Sequence, residues 1–364
     1  MNIEDYIAEQ KDVPFTDLPF NEVDNGLLSE LAYMDFGGVF HDTETMVSIG
    51  DVTDRYFAEH SAEQIRKEGV FWQLAPLLLL PMKEGVRFRD IKVSHYVNDV
   101  DAETNMQFAA MVFHLTPHLH FVAYRGTDTT LVGWKESLLL STHAQIAGAH
   151  AAVRYLEHLG KELEGDLLVG GHSKGGYFAM MAATCCDAAL QSRIQTVYNN
   201  DGPGLHEDLI FSEGYQNIRE KILTIVPESS VIGQLFFNEG EHHVVKSNAK
   251  GIVQHDLFSW QVEDSHFVPA ELSQFSRFVQ SAMGNWLEKV DEESRASIID
   301  TVFTLLESTG SEDFHEIAAD ALQSAQTVFK GLMQLPEENR NELLGALQAL
   351  IGSSGTVVLK SILS

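Results

Sequence analysis

A serine with a glycine two places to each side, Gly171-His172-Ser173-Lys174-Gly175, lies between the apolar run Leu167-Leu168-Val169 and a small-residue segment from Gly176 through Ala183. The run predicts a strand over Asp166 to Gly170 and the segment a helix beginning near Gly176, so the serine falls on a strand-to-helix turn too tight for bulky neighbours. Such a turn presents a hydroxyl for nucleophilic attack, with the free N–H groups of the helix start aimed at the reacting oxygen. Phosphate chemistry fits less well. No Gly-Lys-Ser/Thr follows at phosphate-loop spacing, and the glycines form no dinucleotide fingerprint.

A serine hydroxyl is a weak nucleophile at neutral pH, so the chemistry also demands a base, an acid to orient it, and donors for the developing oxyanion. In α/β hydrolases these come in the chain order oxyanion strand, Ser, Asp or Glu, His. Upstream of Ser173, His118 to Tyr124 alternates and then runs apolar, as a buried strand does, and ends in Arg125-Gly126-Thr127-Asp128. That strand end can aim the Thr127 N–H at the same point as the N–H of Lys174, and two converging donors make an oxyanion hole. The chain has 16 histidines, and position selects among them. His255 follows the short strand-like stretch Glu241 to Lys246 and a Ser-Asn-Ala-Lys-Gly turn, downstream of the last core strands, where a base must lie. His266 is the second choice, and His172 is expected to pack beside the nucleophile. His242 and His243 are expected as exposed strand residues, with no Cys or carboxylate at metal-ligand spacing, and the chemistry requires no metal and no cofactor.

The two segments Ala123 to Trp134, containing Ala-Tyr-Arg-Gly-Thr-Asp, and Gly170 to Gly176, Gly-Gly-His-Ser-Lys-Gly-Gly, together resemble class 3 (fungal-type) lipases. They also resemble a related bacterial group of largely uncharacterised lipase-like proteins. The resemblance spans roughly residues 90 to 260 and rests on the conjunction of both motifs. It implies an α/β-hydrolase fold, with Ser173 as nucleophile and Thr127 and Lys174 as oxyanion donors. It also implies an acid, because an Asp in those lipases stands close to Glu228, directly after the strand-like Lys221 to Pro227. Asp201 is the alternative acid, since some hydrolases place it one strand earlier. It follows the strand-like Ile194 to Asn199 and replaces a small residue of the lipase-like Gly-x-Pro turn, at a strand's C-terminal end where ligands sit in open α/β sheets. One departure stands beside the nucleophile: where many lipases have Leu, this chain has Lys174, whose charged side chain is expected to point outward or to meet an anionic substrate.

With 364 residues, 44% of them hydrophobic and 21% charged, the chain can bury one large core with an accessory unit. A formal charge of −29 disfavours nucleic acid and anionic bilayers, because nucleic-acid affinity comes from Lys and Arg neutralising phosphates. The two cysteines, Cys185 and Cys186, are adjacent on a helix and point about 100° apart, which speaks against a structural disulfide and suits a reducing cytosol. The first thirty residues have neither the basic start nor the apolar core of a signal peptide, and Leu77 to Pro81 is far too short to span a bilayer. A cytoplasmic protein without stable membrane insertion is the expectation.

The expected architecture is a mostly parallel central sheet flanked by helices. Residues 1–85 read as an N-terminal helical segment packed on the core, 86–269 as the α/β-hydrolase core, and 270–364 as an all-helical extension. Within the core, Arg89 to Asn98 and Asn105 to Leu115 pair as strands, and Gln145 to Leu163 forms a crossover helix. Lys135 to Leu140 is expected as an amphipathic core helix, with a lid as the other reading. The extension divides into Ala270 to Val290, Glu292 to Ser308, Phe314 to Leu335 and Glu337 to Ile351, and it is also a candidate surface for a homo-oligomer. The function expected is hydrolysis of small-molecule carboxylic esters, in the manner of an esterase or lipase, through a Ser-His-acid triad and an acyl-enzyme. Its competitor is a catalytically silent hydrolase fold that binds a partner.

Overall fold

The computed structural model describes residues 1–40, 46–69, 71–101, 103–128, 130–140, 146–236, 242–310 and 327. Eight strands form one sheet in strict sequence order: β1 (Met46–Ser48), β2 (Lys92–Asp101), β3 (Met106–Thr116), β4 (Leu119–Tyr124), β5 (Asp166–His172), β6 (Ile194–Asn200), β7 (Ile222–Pro227) and β8 (His243–Val245). The first four pair antiparallel, β2 to β3 and β3 to β4 through short turns and β1 to β2 across a long helical connection, and β4 to β8 pair parallel. Parallel neighbours require a crossover, and helix Ala147–Glu162 supplies the one between β4 and β5. All the parallel strands therefore end on the same rim of the sheet. Chemistry placed at that rim is reached from several strand ends at once.

Each face of the sheet carries its own core. On one side, helices Ala147–Glu162 and Lys174–Cys185 bury Leu156, Leu159, Phe178 and Met181 against Val122, Val169 and Val197. On the other, the N-terminal helices Ile3–Gln10 and Glu22–Leu31 bury Ile7, Leu27, Leu28 and Leu31 against Phe113, Phe121 and Leu168. The N-terminal segment is pinned as well as packed. Arg87 forms a fully buried ion pair with Asp24 and donates to the carbonyls of Val13 and Leu18 at 3.0 and 2.8 Å.

Several elements differ from the sequence expectation. The N-terminal segment also supplies the edge strand β1, a three-residue piece too short for alternation to reveal. The nucleophile helix starts at Lys174 rather than near Gly176, because β5 runs on to His172 and the turn consumes a single residue. Of the C-terminal helices, Gln274–Lys289 and Glu292–Glu307 are present, and the latter packs Ile299 and Phe303 on Leu131 with a Lys135 to Asp300 ion pair at 3.0 Å. The expected helices Phe314 to Leu335 and Glu337 to Ile351 lie outside the described residues, Thr327 apart. Lys135 to Leu139 belongs to helix Leu131–Leu139, which contacts both β3 and the Glu292–Glu307 helix, so this stretch is a packed helix. No helix among the described residues is long and apolar enough to cross a membrane.

Candidate active site

Ser173 has φ 58° and ψ −130°, a left-handed conformation that costs a non-glycine residue about 1–3 kcal/mol. The strain is held by close packing on both sides. A Cβ on Gly175 would stand 2.1 Å from the Tyr124 carbonyl oxygen, and one on Gly171 would stand 2.5 Å from both that oxygen and the Gly175 carbonyl carbon, so only glycine fits at either position. The Ser173 N–H donates to the Asn200 carbonyl at 2.9 Å. Asn200, the last residue of β6, also donates its side-chain amide to Gly171 O and to Asn25 Oδ1, both at 3.1 Å, which ties the serine's turn to the N-terminal helix.

Asp201 follows at once, fully buried with φ 47°. Its Oδ2 accepts from His255 Nδ1 at 2.7 Å, and its Oδ1 accepts from the Gly233 N–H at 3.1 Å and from the Ser230 hydroxyl. Because a carboxylate only accepts, the His255 proton is fixed on Nδ1 and Nε2 is left with its lone pair. His255 ends the turn Gly251–His255, and its side chain is 27% exposed, enough to meet a substrate. The loop beneath it is anchored by Gln254, which accepts from the Ser229 N–H at 2.7 Å and whose carbonyl accepts from the buried Trp260 indole at 2.9 Å.

The structure thus brings Asp201, the alternative acid, to His255 and leaves Glu228 away from it. Glu228 lies past β7, one strand farther from β5. Its backbone is used, N–H to Val245 O at 3.0 Å and C=O from the Ser273 N–H at 2.8 Å, but among the described residues its carboxylate makes no hydrogen bond. Its neighbour Ser230 is the residue that turns back, and it does so to hold Asp201. His266 sits in the small hairpin of Val262–Glu263 and His266–Phe267, exposed on the surface. His242 and His243 are half-buried rather than exposed, with His243 Nδ1 3.3 Å from Glu22.

His172 packs where expected, beside the nucleophile, with its ring 4.5 Å from that of His255. It also holds the His255 backbone, since its Nε2 donates to the His255 carbonyl at 2.8 Å. Behind it stand the Tyr33 hydroxyl, 3.1 Å from Nδ1, and Glu30 Oε1, 3.4 Å away. Burial, with a smaller contribution from the His255 charge, holds the imidazole well below the ordinary histidine range. Burial and then Asp256 hold the Glu30 carboxyl well above its own range. Both shifts favour the uncharged form.

On the oxyanion side, Thr127 Oγ1 lies 2.6 Å from Ser137 Oγ, so the threonine hydroxyl is occupied and its backbone is fixed. Lys174 corrects the expectation for its side chain: it turns inward, 1% exposed, and its Nζ meets Glu136 Oε2 at 2.6 Å. Sequence reasoning missed Glu136 and its partner Gln107, and nothing in their local pattern marks them as buried. Among the described residues no group of three or more His, Cys, Asp or Glu is arranged to hold a metal ion, and both cysteines are unpaired thiols.

A sequentially ordered sheet turning from antiparallel to parallel, with a strained serine after β5 and an Asp–His pair on the same rim, defines an α/β-hydrolase fold of the lipase-like kind. The chain belongs to the Mbeg1-like family, whose model matches residues 82–304, more than half its length. That match extends beyond the sheet into helix Glu292–Glu307. Similar solved structures include a mutant form of MDLA from Penicillium cyclopium, 11% identical, covering 69% of this chain and 87% of its own, with TM-score 0.39. M37 lipase is 12% identical, covers 59% of this chain and 70% of its own, with TM-score 0.35. The native Rhizomucor miehei lipase propeptide complex is 16% identical, covers 43% of this chain and 57% of its own, with TM-score 0.30. At these scores no residue's role is carried from them to this chain. No curated protein matches it.

Proposed function

We propose that this protein is a serine hydrolase of carboxylic esters, with Ser173 as nucleophile, His255 as base and Asp201 as the acid that orients it. The observation carrying the reading is the Asp201 to His255 hydrogen bond at 2.7 Å, on the rim where Ser173 is held at φ 58°. Ser173 Oγ attacks the acyl carbon as its proton passes to His255 Nε2, and Asp201 balances the imidazolium. The backbone N–H groups of Thr127 and Lys174 receive the oxyanion, worth roughly 3–4 kcal/mol of barrier for each donor. His255 returns the proton to the leaving alcohol, and water then attacks the acyl-enzyme by the same route in reverse. A small acyl ester is the substrate class, no cofactor is needed, and the two free thiols fit a site of action in the reducing cytosol.

A fluorophosphonate probe tests this directly. Wild type is labelled at Ser173, Ser173→Ala is not, and a panel of p-nitrophenyl esters of increasing chain length is turned over only by wild type. Folded wild type that resists labelling and leaves every ester intact overturns the reading in favour of a silent hydrolase fold that binds a partner.

A further inference from the structure

Lys174 contributes a backbone N–H to the proposed oxyanion hole, and its side chain is bound up with the opposite wall of that hole. Its ammonium has three donors and finds three acceptors: Glu136 Oε2 at 2.6 Å, Gln107 O at 3.2 Å and Gln107 Oε1 at 3.3 Å. The Glu136 carboxylate is equally engaged. Oε2 also accepts from the Gln107 N–H at 3.1 Å, and Oε1 accepts from the Gly148 N–H at 3.0 Å, at the start of the crossover helix.

From this cluster two routes lead back to Thr127. Gln107 donates to Thr130 Oγ1 at 3.0 Å, and Thr130 caps the helix that follows the oxyanion turn. Glu136 lies on that same helix, next to Ser137, whose hydroxyl holds Thr127. The two oxyanion donors are therefore linked through polar contacts and one short helix. Packing does not require this, because a buried ion pair can usually be replaced by apolar residues of similar volume with no loss of stability. What the ionic arrangement adds is fixed direction and distance.

We propose that Lys174, Glu136 and Gln107 form a clasp that sets the separation of the two oxyanion donors, making Lys174 and Glu136 positioning residues for ester hydrolysis. The inference rests on the hydrolase reading and goes beyond it, since a serine hydrolase could equally pack this site with a leucine.

The test compares wild type with Lys174→Met/Glu136→Leu, which fills the space without charge, and with Glu136→Gln. Measured are the thermal midpoint, the second-order rate of fluorophosphonate modification at Ser173, and kcat and KM on a p-nitrophenyl ester. The expected result is a folded double variant, lower in thermal midpoint because the Gln107 and Gly148 N–H groups lose their acceptor, with modification rate and kcat roughly 100-fold lower and KM little changed, the signature of a misplaced transition-state contact. Glu136→Gln keeps the acceptor shape, folds, and shows a smaller loss in the same two quantities. If the double variant does not fold, Glu136→Gln decides alone. Folded variants with the wild-type modification rate overturn the clasp while leaving the hydrolase intact. Wild type that does not react at all overturns the hydrolase reading, and the clasp with it.

Discussion

Two buried polar clusters flank Ser173, one against each face of the sheet, and they treat charge in opposite ways. On the N-terminal face, Glu30 is 1% exposed, and one carboxyl oxygen, Oε2, has no hydrogen-bond partner among the described residues. On the crossover-helix face, Glu136 is also 1% exposed, yet both its oxygens accept from N–H donors and a lysine stands at 2.6 Å. Equal burial has produced a carboxyl pushed toward its neutral form on one side and an ion pair on the other. The difference lies in the donors. A carboxylate out of water survives only where protein hydrogen bonds replace the lost hydration, and otherwise it takes up a proton. Asp201 sits between the two clusters, fully buried like Glu30 but met by three donors.

The largest expected effect tests that middle case. Asp201→Asn preserves shape but removes the acceptor that fixes His255 in the Nδ1–H tautomer, and kcat should fall by about 10⁴-fold, the size such a change has in Ser-His-Asp enzymes. Glu228→Gln should leave kcat nearly untouched. A reversal of the two, measured on the same ester, would return the acid's role to Glu228 and remove Asp201 from the comparison.

Next comes the paired cluster. Lys174→Met alone strands the Glu136 carboxylate in a site without water, and breaking a buried pair in this way costs about 3–5 kcal/mol. Chemical denaturation should show that loss, and adding Glu136→Leu should recover the part owed to the stranded charge, less the cost of the Gln107 and Gly148 N–H groups then left without an acceptor. If the single variant were as stable as the double, Glu136 would be taking up a proton as readily as Glu30, and the contrast between the faces would dissolve.

These two predictions also mark where the sequence stops being legible. The sharp turn at Ser173 is legible because its requirement is local: glycines on either side of one residue, between a strand pattern and a helix pattern. His255 is reached as a candidate because chain order and a loop after the last strands leave few others. The acid is different. Asp201 and Glu228 each follow a β-strand, and what separates them is the return of Ser230 and Gly233 toward β6, a tertiary event that no spacing records. Lys174 and Glu136 are charged residues separated by 38 positions, and each alone looks like solvated surface. Seven of the eight strands are readable from their apolar or alternating runs, whereas β1, three residues long, has no periodicity to read.

The smallest effect concerns Glu30, and its sign is the informative part. Its folded-state pKa is raised, first by burial and then by Asp256, so the folded protein keeps a proton that the unfolded chain gives up above about pH 4.5. The unfolded state then binds fewer protons, and stability must fall as pH rises from there toward the folded pKa. Glu30→Gln carries the same neutral shape without the titration. It should match wild type to within about 1 kcal/mol near pH 4.5 and then gain on it by up to about 1.4 kcal/mol per pH unit. Thermal midpoints of the two proteins measured across that range should therefore diverge upward with the variant on top. Parallel curves would mean that Glu30 is ionised in the folded state, its negative charge balanced by a protonated His172, and the N-terminal face would then carry an ion pair like its counterpart across the sheet.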